Sequence, residues 1–174
     1  MNMRIIHSRK LSGNIWLSLF ALLITACTQV TPPERPAPDN SAVKLITSPT
    51  LELLTLNIAH GRKDSFNQLL VPNETIVENL DDIAELLKKV DADVVALQEA
   101  DGPSAWSGYF NHVSYLANMA EYPWDIYSAH VNGKRINYGT ALLSKVPFKD
   151  TLSHDFPKSP PTLRKGFTLG EIEW

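Results

Sequence analysis

Two short runs typical of buried strands, with a helix-like stretch between them, constrain this chain more than any other feature. The runs cover residues 51–57 and 93–99 and are dominated by apolar residues on both faces. Between them, apolar residues recur at spacings of four, three, four and three, which is one stripe of an amphipathic helix: Ile76, Leu80, Ile83, Leu87 and Val90. Strand, helix and strand in this order predict a crossover packed on a sheet, and therefore an α/β fold.

Each of the two strands ends in a polar residue, Asn57 in the first and Glu99 in the second. In an open α/β sheet the ends of neighbouring strands converge on one crevice, so these side chains are expected to meet although 42 positions separate them. An amide oxygen beside a carboxylate is a pair of hard oxygen donors that suits Mg²⁺. The alternative is that Asn57 caps a loop and Glu99 is a solvated strand end.

The rest of the chain predicts further elements of the same domain. Helices are expected at residues 73–90, with Asn73 as the N-cap, and at residues 111–121. Strands are expected at residues 124–131, 135–144, 148–152 and 167–174. The first two of these are expected to be joined by a two-residue hairpin turn at Asn132 and Gly133, and residues 104–110 are expected to form a surface loop.

The N-terminus has the parts of a bacterial export signal. Its first ten residues contain three basic residues and no acid, and residues 15–24 form an apolar stretch shorter than the roughly 20 residues that a membrane-spanning helix needs. The only cysteine is Cys27, and residues 24–27 resemble the lipobox of bacterial lipoproteins, in which this Cys becomes the lipidated first residue. The alternative is a free Cys near an ordinary cleavage site.

These features divide the chain into three parts. Residues 1–26 are predicted to be a signal peptide, and residues 27–48 a lipidated Cys followed by a Pro-rich tether that holds the domain off a membrane. Residues 49–174 are predicted to be one folded domain. We therefore expect an exported lipoprotein, anchored to a membrane through Cys27 on its periplasmic or cell-surface side.

Removing the export signal makes the chain more acidic. The full sequence has 16 basic and 19 acidic residues, and without its first 27 residues 13 basic and 19 acidic residues remain, a net charge of −6. This balance disfavours generic binding to nucleic acid, which depends on Lys and Arg displacing counterions. It does not exclude a nuclease with a local basic groove.

Three segments taken together resemble the endonuclease/exonuclease/phosphatase superfamily, which has the DNase I-like fold. They are Leu-Thr-Leu-Asn-Ile at residues 54–58, Asp-Val-Val-Ala-Leu-Gln-Glu at residues 93–99, and Tyr-Gly-Thr-Ala-Leu-Leu-Ser at residues 138–144. The resemblance covers about residues 51–174 and implies the N-terminal half of a four-layer α-β-β-α sandwich with mixed, mostly antiparallel sheets.

The resemblance also implies a metal-dependent phosphoesterase, in which metal-activated water hydrolyses a phosphodiester or a phosphomonoester. Glu99 would ligate Mg²⁺ or Mn²⁺, and Asn57 would orient a phosphate or a metal-bound water and contribute to the metal site. A divalent ion neutralises phosphate oxygens and stabilises the charge that develops during attack.

Two residues in the loop after Asn57 are candidates for substrate binding. His60 would contact phosphate from the rim of the loop, and Arg62 would do so by bidentate hydrogen bonding. For both residues the alternative is an exposed side chain without a role. The other histidines, His112, His130 and His154, show no ligand spacing and are expected to be structural or exposed.

The third motif and the segment before the last strand supply two further candidates. Tyr138 would hydrogen-bond the scissile phosphate, but the comparable Tyr of AP endonucleases lies one position earlier, where this chain has Asn137, so a core role competes. Arg164 resembles the Arg before the family's next strand and would stabilise the site or bind phosphate. Its alternative is a surface Arg.

Family members carry further signatures downstream, namely a His on a later strand, a Gly-Asp-x-Asn loop and a Ser-Asp-His segment. None of these occurs in the 174 residues, so the domain is expected to be truncated and inactive as this fragment. For the full-length parent we expect a monomeric hydrolase whose substrate is a phospholipid headgroup, an inositol phosphate or nucleic acid. The alternative is a non-enzymatic surface lipoprotein that uses the fold as a binding module.

Overall fold

The computed structural model describes residues 48–174. Cys27, the predicted signal peptide and nearly all of the predicted tether lie outside the described residues. Besides three single-turn 3₁₀ helices, the described part contains two α-helices and six strands: β1 (Leu53–Asn57), α1 (Asn73–Val90), β2 (Val94–Asp101), α2 (His112–Met119), β3 (Trp124–Asn132), β4 (Asn137–Ser144), β5 (Phe148–Asp155) and β6 (Gly166–Ile172). No helix in this part of the chain is long and apolar enough to cross a membrane.

The strands form two sheets. One has the order β1-β2-β4-β3, and the other consists of β5 and β6. β1 and β2 are parallel, as the crossover through α1 requires, whereas the other pairs of described strands are antiparallel. The predicted α/β class with mixed, mostly antiparallel sheets is confirmed.

The two faces of the first sheet have different neighbours. On one face, Leu97 and Leu143 pack with Leu80 of α1 and Leu116 of α2 in a single buried core. Burying each such side chain stabilises the fold by about 1.5–3 kcal/mol. The other face meets the second sheet, where Oγ1 of Thr140 lies 2.8 Å from Oγ1 of Thr168. The described residues thus form three layers: helices, the first sheet and the second sheet.

Helix α1 buries the predicted stripe with two adjustments. The N-cap is Pro72 rather than the predicted Asn73, and the helix ends where Asp91 adopts a left-handed conformation, with φ of 54°. Ala84 joins the buried positions, whereas the last predicted stripe residue, Val90, is 42% exposed. The stripe ends one turn early because Val90 is the final residue of the helix.

The prediction that β1 is buried on both faces is wrong. Leu53 is 69% exposed, and alternate residues of the strand are exposed along its length. β1 lies at the edge of the first sheet, and the second sheet packs mainly against β3 and β4. Apolar residues on both faces of a strand therefore did not distinguish an edge strand from a central one.

The prediction of a two-residue hairpin turn at Asn132 and Gly133 is also wrong. Asn132 still belongs to β3 and pairs with Asn137, so that the loop has four residues, 133–136. Backbone N–H groups of Ala105 and Trp106 donate to the carbonyls of Lys134 and Arg135. These bonds to a distant segment stabilise a longer loop than the local sequence favours.

The prediction that residues 104–110 form a surface loop is wrong for part of this segment. Ser104 and Ser107 are buried, and the Ser107 hydroxyl donates to the carbonyl oxygen of Gly102 at 2.7 Å. The segment therefore packs beneath the β3–β4 loop.

Candidate functional site

The ends of β1 and β2 converge as the sequence predicted. Asn57, the last residue of β1, pairs with Gln98 of β2, so that Asn57 and Glu99 lie at one edge of the sheet. Both residues line a cleft of about 280 Å³ together with His60 and Tyr138. The structure thus brings together four of the predicted site residues.

A bulge in β2 directs Glu99 into this cleft. The pairing of β2 with β4 shifts register between Gln98 and Ala100, and Glu99 between them has a positive φ of 50°. A bulge turns one side chain away from the regular alternation of a strand. The Glu99 side chain is 41% exposed and is therefore available to a ligand.

Asn57 has both a local and an outward-facing role. Its side-chain oxygen accepts a hydrogen bond of 2.8 Å from the backbone N–H of Ala59, which begins the turn after β1. An amide oxygen has a second lone pair. Asn57 therefore caps the loop, as one reading of the sequence proposed, and also lines the cleft.

His60 is held between two carboxylates. Its Nδ1 lies 2.7 Å from Oδ1 of Asp101, which is fully buried, and its Nε2 lies 3.4 Å from Oε2 of Glu99. An ionised carboxylate accepts hydrogen bonds, so Nδ1 of His60 donates to Asp101. Asp101 therefore orients the imidazole so that Nε2 points toward Glu99.

Aromatic rings complete the surroundings of His60. The rings of Tyr138 and Trp106 both meet the imidazole edge-on, with centroid distances of 5.2 Å and 5.5 Å. Burial, together with the charges of Glu99 and Asp101, raises the pKa of Tyr138. Its hydroxyl therefore stays protonated and is a hydrogen-bond donor at the cleft.

The structure shows which of the neighbouring positions 137 and 138 faces the cleft. Asn137 accepts a hydrogen bond of 2.8 Å from the Tyr127 hydroxyl, and this position does not line the cleft. Tyr138 does line it. The cleft-facing aromatic residue is therefore the one at position 138.

Two other predicted residues point elsewhere. Arg62 donates from its Nη1 to the carbonyl oxygen of Ser65 at 2.8 Å, and Arg164 donates to Oδ2 of Asp155 at 3.0 Å. Neither residue lines the cleft, whereas the neighbour of Arg164, Lys165, does.

Several residues of the cleft were missed by sequence reasoning. His130, Thr140 and Lys165 line it, and Asp101 lies behind His60. The sequence offered a weak indication for Asp101, because this residue follows Glu99 by two positions at the end of the same strand. It offered no indication for His130, since the direction of the His130 side chain depends on a bulge in β3 between Ala129 and Val131.

The oxygen donors at the cleft fit a hard divalent cation. Glu99 supplies a carboxylate and Asn57 an amide oxygen, and Mg²⁺ is commonly held by one or two carboxylates while waters and substrate phosphates complete its shell. Within residues 48–174 no group of three His, Cys, Asp or Glu side chains is arranged to hold a metal ion. The pair can therefore contribute only part of the coordination shell of a divalent cation.

Comparison with known proteins agrees with the motifs. The model of the endonuclease/exonuclease/phosphatase family matches residues 54–171. One similar solved structure is an endonuclease/exonuclease/phosphatase family protein from Leptotrichia buccalis C-1013-b, with 19% identity, a TM-score of 0.48, and coverage of 70% of this chain and 49% of that one. Another is an endonuclease/exonuclease/phosphatase from Beutenbergia cavernae DSM 12333, with 19% identity, a TM-score of 0.44, and coverage of 62% and 29%. No curated protein sequence matches significantly.

This chain is therefore shorter than the proteins whose structures it resembles. It spans 49% of the length of the first and 29% of the length of the second.

Proposed function

Since the chain belongs to the endonuclease/exonuclease/phosphatase family, a family of phosphoesterase-type hydrolases, we propose that its protein hydrolyses a phosphate ester with the help of a divalent cation. The convergence of Glu99, Asn57 and Tyr138 in one cleft is the observation that carries this proposal. A carboxylate, an amide oxygen and a protonated phenol in one cleft supply both cation ligands and a phosphate donor.

Glu99 and Asn57 are the proposed ligands of Mg²⁺ or Mn²⁺. The ion, when bound, would neutralise charge on the phosphate oxygens during attack by water. Because Asp101 orients His60, whose Nε2 lies 3.4 Å from Glu99, His60 also limits the directions that the Glu99 carboxylate can take.

Tyr138 and Lys165 are the proposed contacts to the substrate phosphate. The raised pKa of Tyr138 keeps its hydroxyl a donor, and Lys165 is the one Lys or Arg that lines the cleft. No hydrogen bond or ion pair from the Lys165 ammonium to another described residue is present, so its charge is free to meet an anion. His60 would contribute a further contact, as the sequence predicted.

The substrate class is proposed from charge. Phospholipid headgroups, inositol phosphates and nucleic acids all contain the phosphate ester that this cleft would bind. A single lysine at the cleft and a predicted net charge of −6 after export favour a small phosphodiester or headgroup over long nucleic acid. We further propose a monomeric protein, tethered through Cys27 outside the cytoplasmic membrane.

Replacing Glu99 by Gln is expected to weaken Mn²⁺ binding about tenfold or more, because a neutral amide cannot supply the negative charge that the cation requires. Binding is measured on the purified chain by the relaxation enhancement of water protons. The matched control is Glu78→Gln, which removes an exposed carboxylate of α1 and should leave the affinity unchanged.

Hydrolysis is tested on the protein as its organism expresses it. Glu99→Gln should lower Mg²⁺-dependent cleavage of bis-p-nitrophenyl phosphate about hundredfold, and Glu78→Gln should not. Equal Mn²⁺ affinity in both variants, or hydrolysis that survives removal of divalent cations, would refute the proposal. Metal and phosphate binding without hydrolysis would favour a binding module.

A further inference from the structure

A chain of hydrogen bonds that extends from Thr140 of the third motif crosses from one sheet to the other at the cleft. His130 of β3 places Nδ1 2.8 Å from Oδ1 of Asp155 at the end of β5, and Nε2 2.9 Å from Oγ1 of Thr140 on β4. Thr140 in turn lies 2.8 Å from the hydroxyl of Thr168 on β6. Arg164 closes the far end by donating to the second oxygen of Asp155 at 3.0 Å.

The direction of the hydrogen bond between His130 and Asp155 follows from the ionised state of the Asp155 carboxylate. The hydrogen bond from His130, aided by Arg164, lowers the pKa of Asp155, so its carboxylate is ionised and only accepts. His130 therefore donates from Nδ1 to Asp155, and its Nε2 shares a second hydrogen bond with the Thr140 hydroxyl. The Thr168 hydroxyl bonds to the Thr140 hydroxyl and also donates to the backbone carbonyl oxygen of Thr140 at 3.1 Å. Every hydroxyl and ring nitrogen between Asp155 and Thr168 thus has a hydrogen-bond partner within the network.

This network is placed where it can set the shape of the cleft. The His130 side chain is only 2% exposed, and a Cβ added to Gly166 would lie 2.4 Å from its Nδ1, so the backbone of β6 packs directly against the imidazole. Gly166 pairs with Asp155, and the carbonyl of Lys165 accepts from the backbone N–H of Phe156 at 2.8 Å. The imidazole thus lies between the side of the cleft that carries Lys165 and the side that carries Tyr138 and Glu99.

We propose that His130 is a positioning residue that, through Thr140 on one side and Asp155 on the other, sets the distance of Lys165 from the rest of the cleft. This role rests on the proposed function, because it concerns the binding of a phosphate group there. It also gives Arg164 and Lys165 different tasks. Arg164 holds Asp155 in place, and Lys165 meets the phosphate.

The test is phosphate binding by the purified chain in the presence of Mg²⁺, followed through the backbone NMR signals of Gly139 and Gly166. Thr140→Val keeps the shape of the side chain but removes the hydroxyl that bonds to His130, so phosphate affinity should fall about tenfold. Thr140→Ser restores the hydroxyl and should restore the affinity. Thr151→Val, on an exposed part of β5, is the matched control and should bind as the unaltered chain does.

The side-chain ¹⁵N signals of His130 give an independent readout. The unaltered chain should show the tautomer protonated at Nδ1, and His154→Gln should leave that signal unchanged, because His154 is exposed and contacts Phe156 and Phe167 instead. A tautomer protonated at Nε2, or equal phosphate affinity in Thr140→Val and Thr140→Ser, would overturn the positioning role alone. Absence of phosphate binding by the unaltered chain would overturn the proposed function and the positioning role with it.

Discussion

Gly139→Ala is expected to destabilise the protein by about 3 kcal/mol or more. A Cβ at this position would lie 1.8 Å from the backbone carbonyl oxygen of Ser128 and 3.0 Å from the backbone nitrogen of His130. These atoms belong to β3, which pairs with β4 at this point, so no side-chain rotation relieves the overlap. The two strands must separate where the cleft is lined by His130, Tyr138 and Gly139.

The measurement is the free energy of unfolding from urea denaturation of the purified chain. Gly133→Ala is the matched control, because the nearest atom to its added Cβ is the Ile136 carbonyl oxygen at 3.3 Å, in a loop that can adjust. We expect a change within about 0.5 kcal/mol for this control. A Gly139→Ala protein that is as stable as the control would show that β3 and β4 are not packed as described.

Stability is expected to fall between pH 7.5 and pH 5.0, by at most about 2 kcal/mol, because of His112. His112 is completely buried, and burial lowers its pKa below the usual value even though the nearby Asp101 opposes the shift. The folded state therefore keeps the imidazole neutral while the unfolded chain takes up a proton below about pH 6.5. The stabilisation is present above that pH and is lost as the pH falls toward the lowered pKa of the folded state.

His112→Gln isolates this contribution. The His112 Nε2 lies 2.9 Å from the carbonyl oxygen of Ser107, and a Gln amide can donate to the same oxygen without titrating. The variant should lose most of the pH dependence seen in urea denaturation below pH 6.5, whereas the exposed His154→Gln should retain it. An identical pH profile in both variants would mean that His112 does not stay neutral in the folded protein.

Much of the fold was predictable because it depends on local periodicity. The stripe of α1 and the start of α2 at Asn111, whose side chain accepts from the N–H groups of Val113 and Ser114, are visible in a few consecutive residues. The approach of Asn57 to Glu99 was predictable for a similar reason, since the strand–helix–strand order requires a parallel pair whose ends coincide. Such patterns need no knowledge of distant contacts.

The errors concern features that distant contacts decide. The exposure of Leu53 depends on how far the second sheet extends, and the length of the β3–β4 loop depends on backbone bonds from Ala105 and Trp106. Neither property is encoded in the residues nearby. A strand pattern or a favoured turn dipeptide states only what the local backbone prefers when nothing else acts on it.

The residues of the cleft likewise divide into those that the sequence predicts and those that distant contacts place there. The sequence alone determined its family and its central pair, because Asn57 and Glu99 occupy strand ends that the order of elements brings together. The bulges in β2 and β3 determine how Glu99 and His130 face the cleft, since one extra residue in a strand reverses which face a side chain occupies. His130 lines the cleft and bonds to Asp155, whereas Arg164 bonds to the same carboxylate outside the cleft. These contacts join residues of different elements, so they form only when the chain is folded.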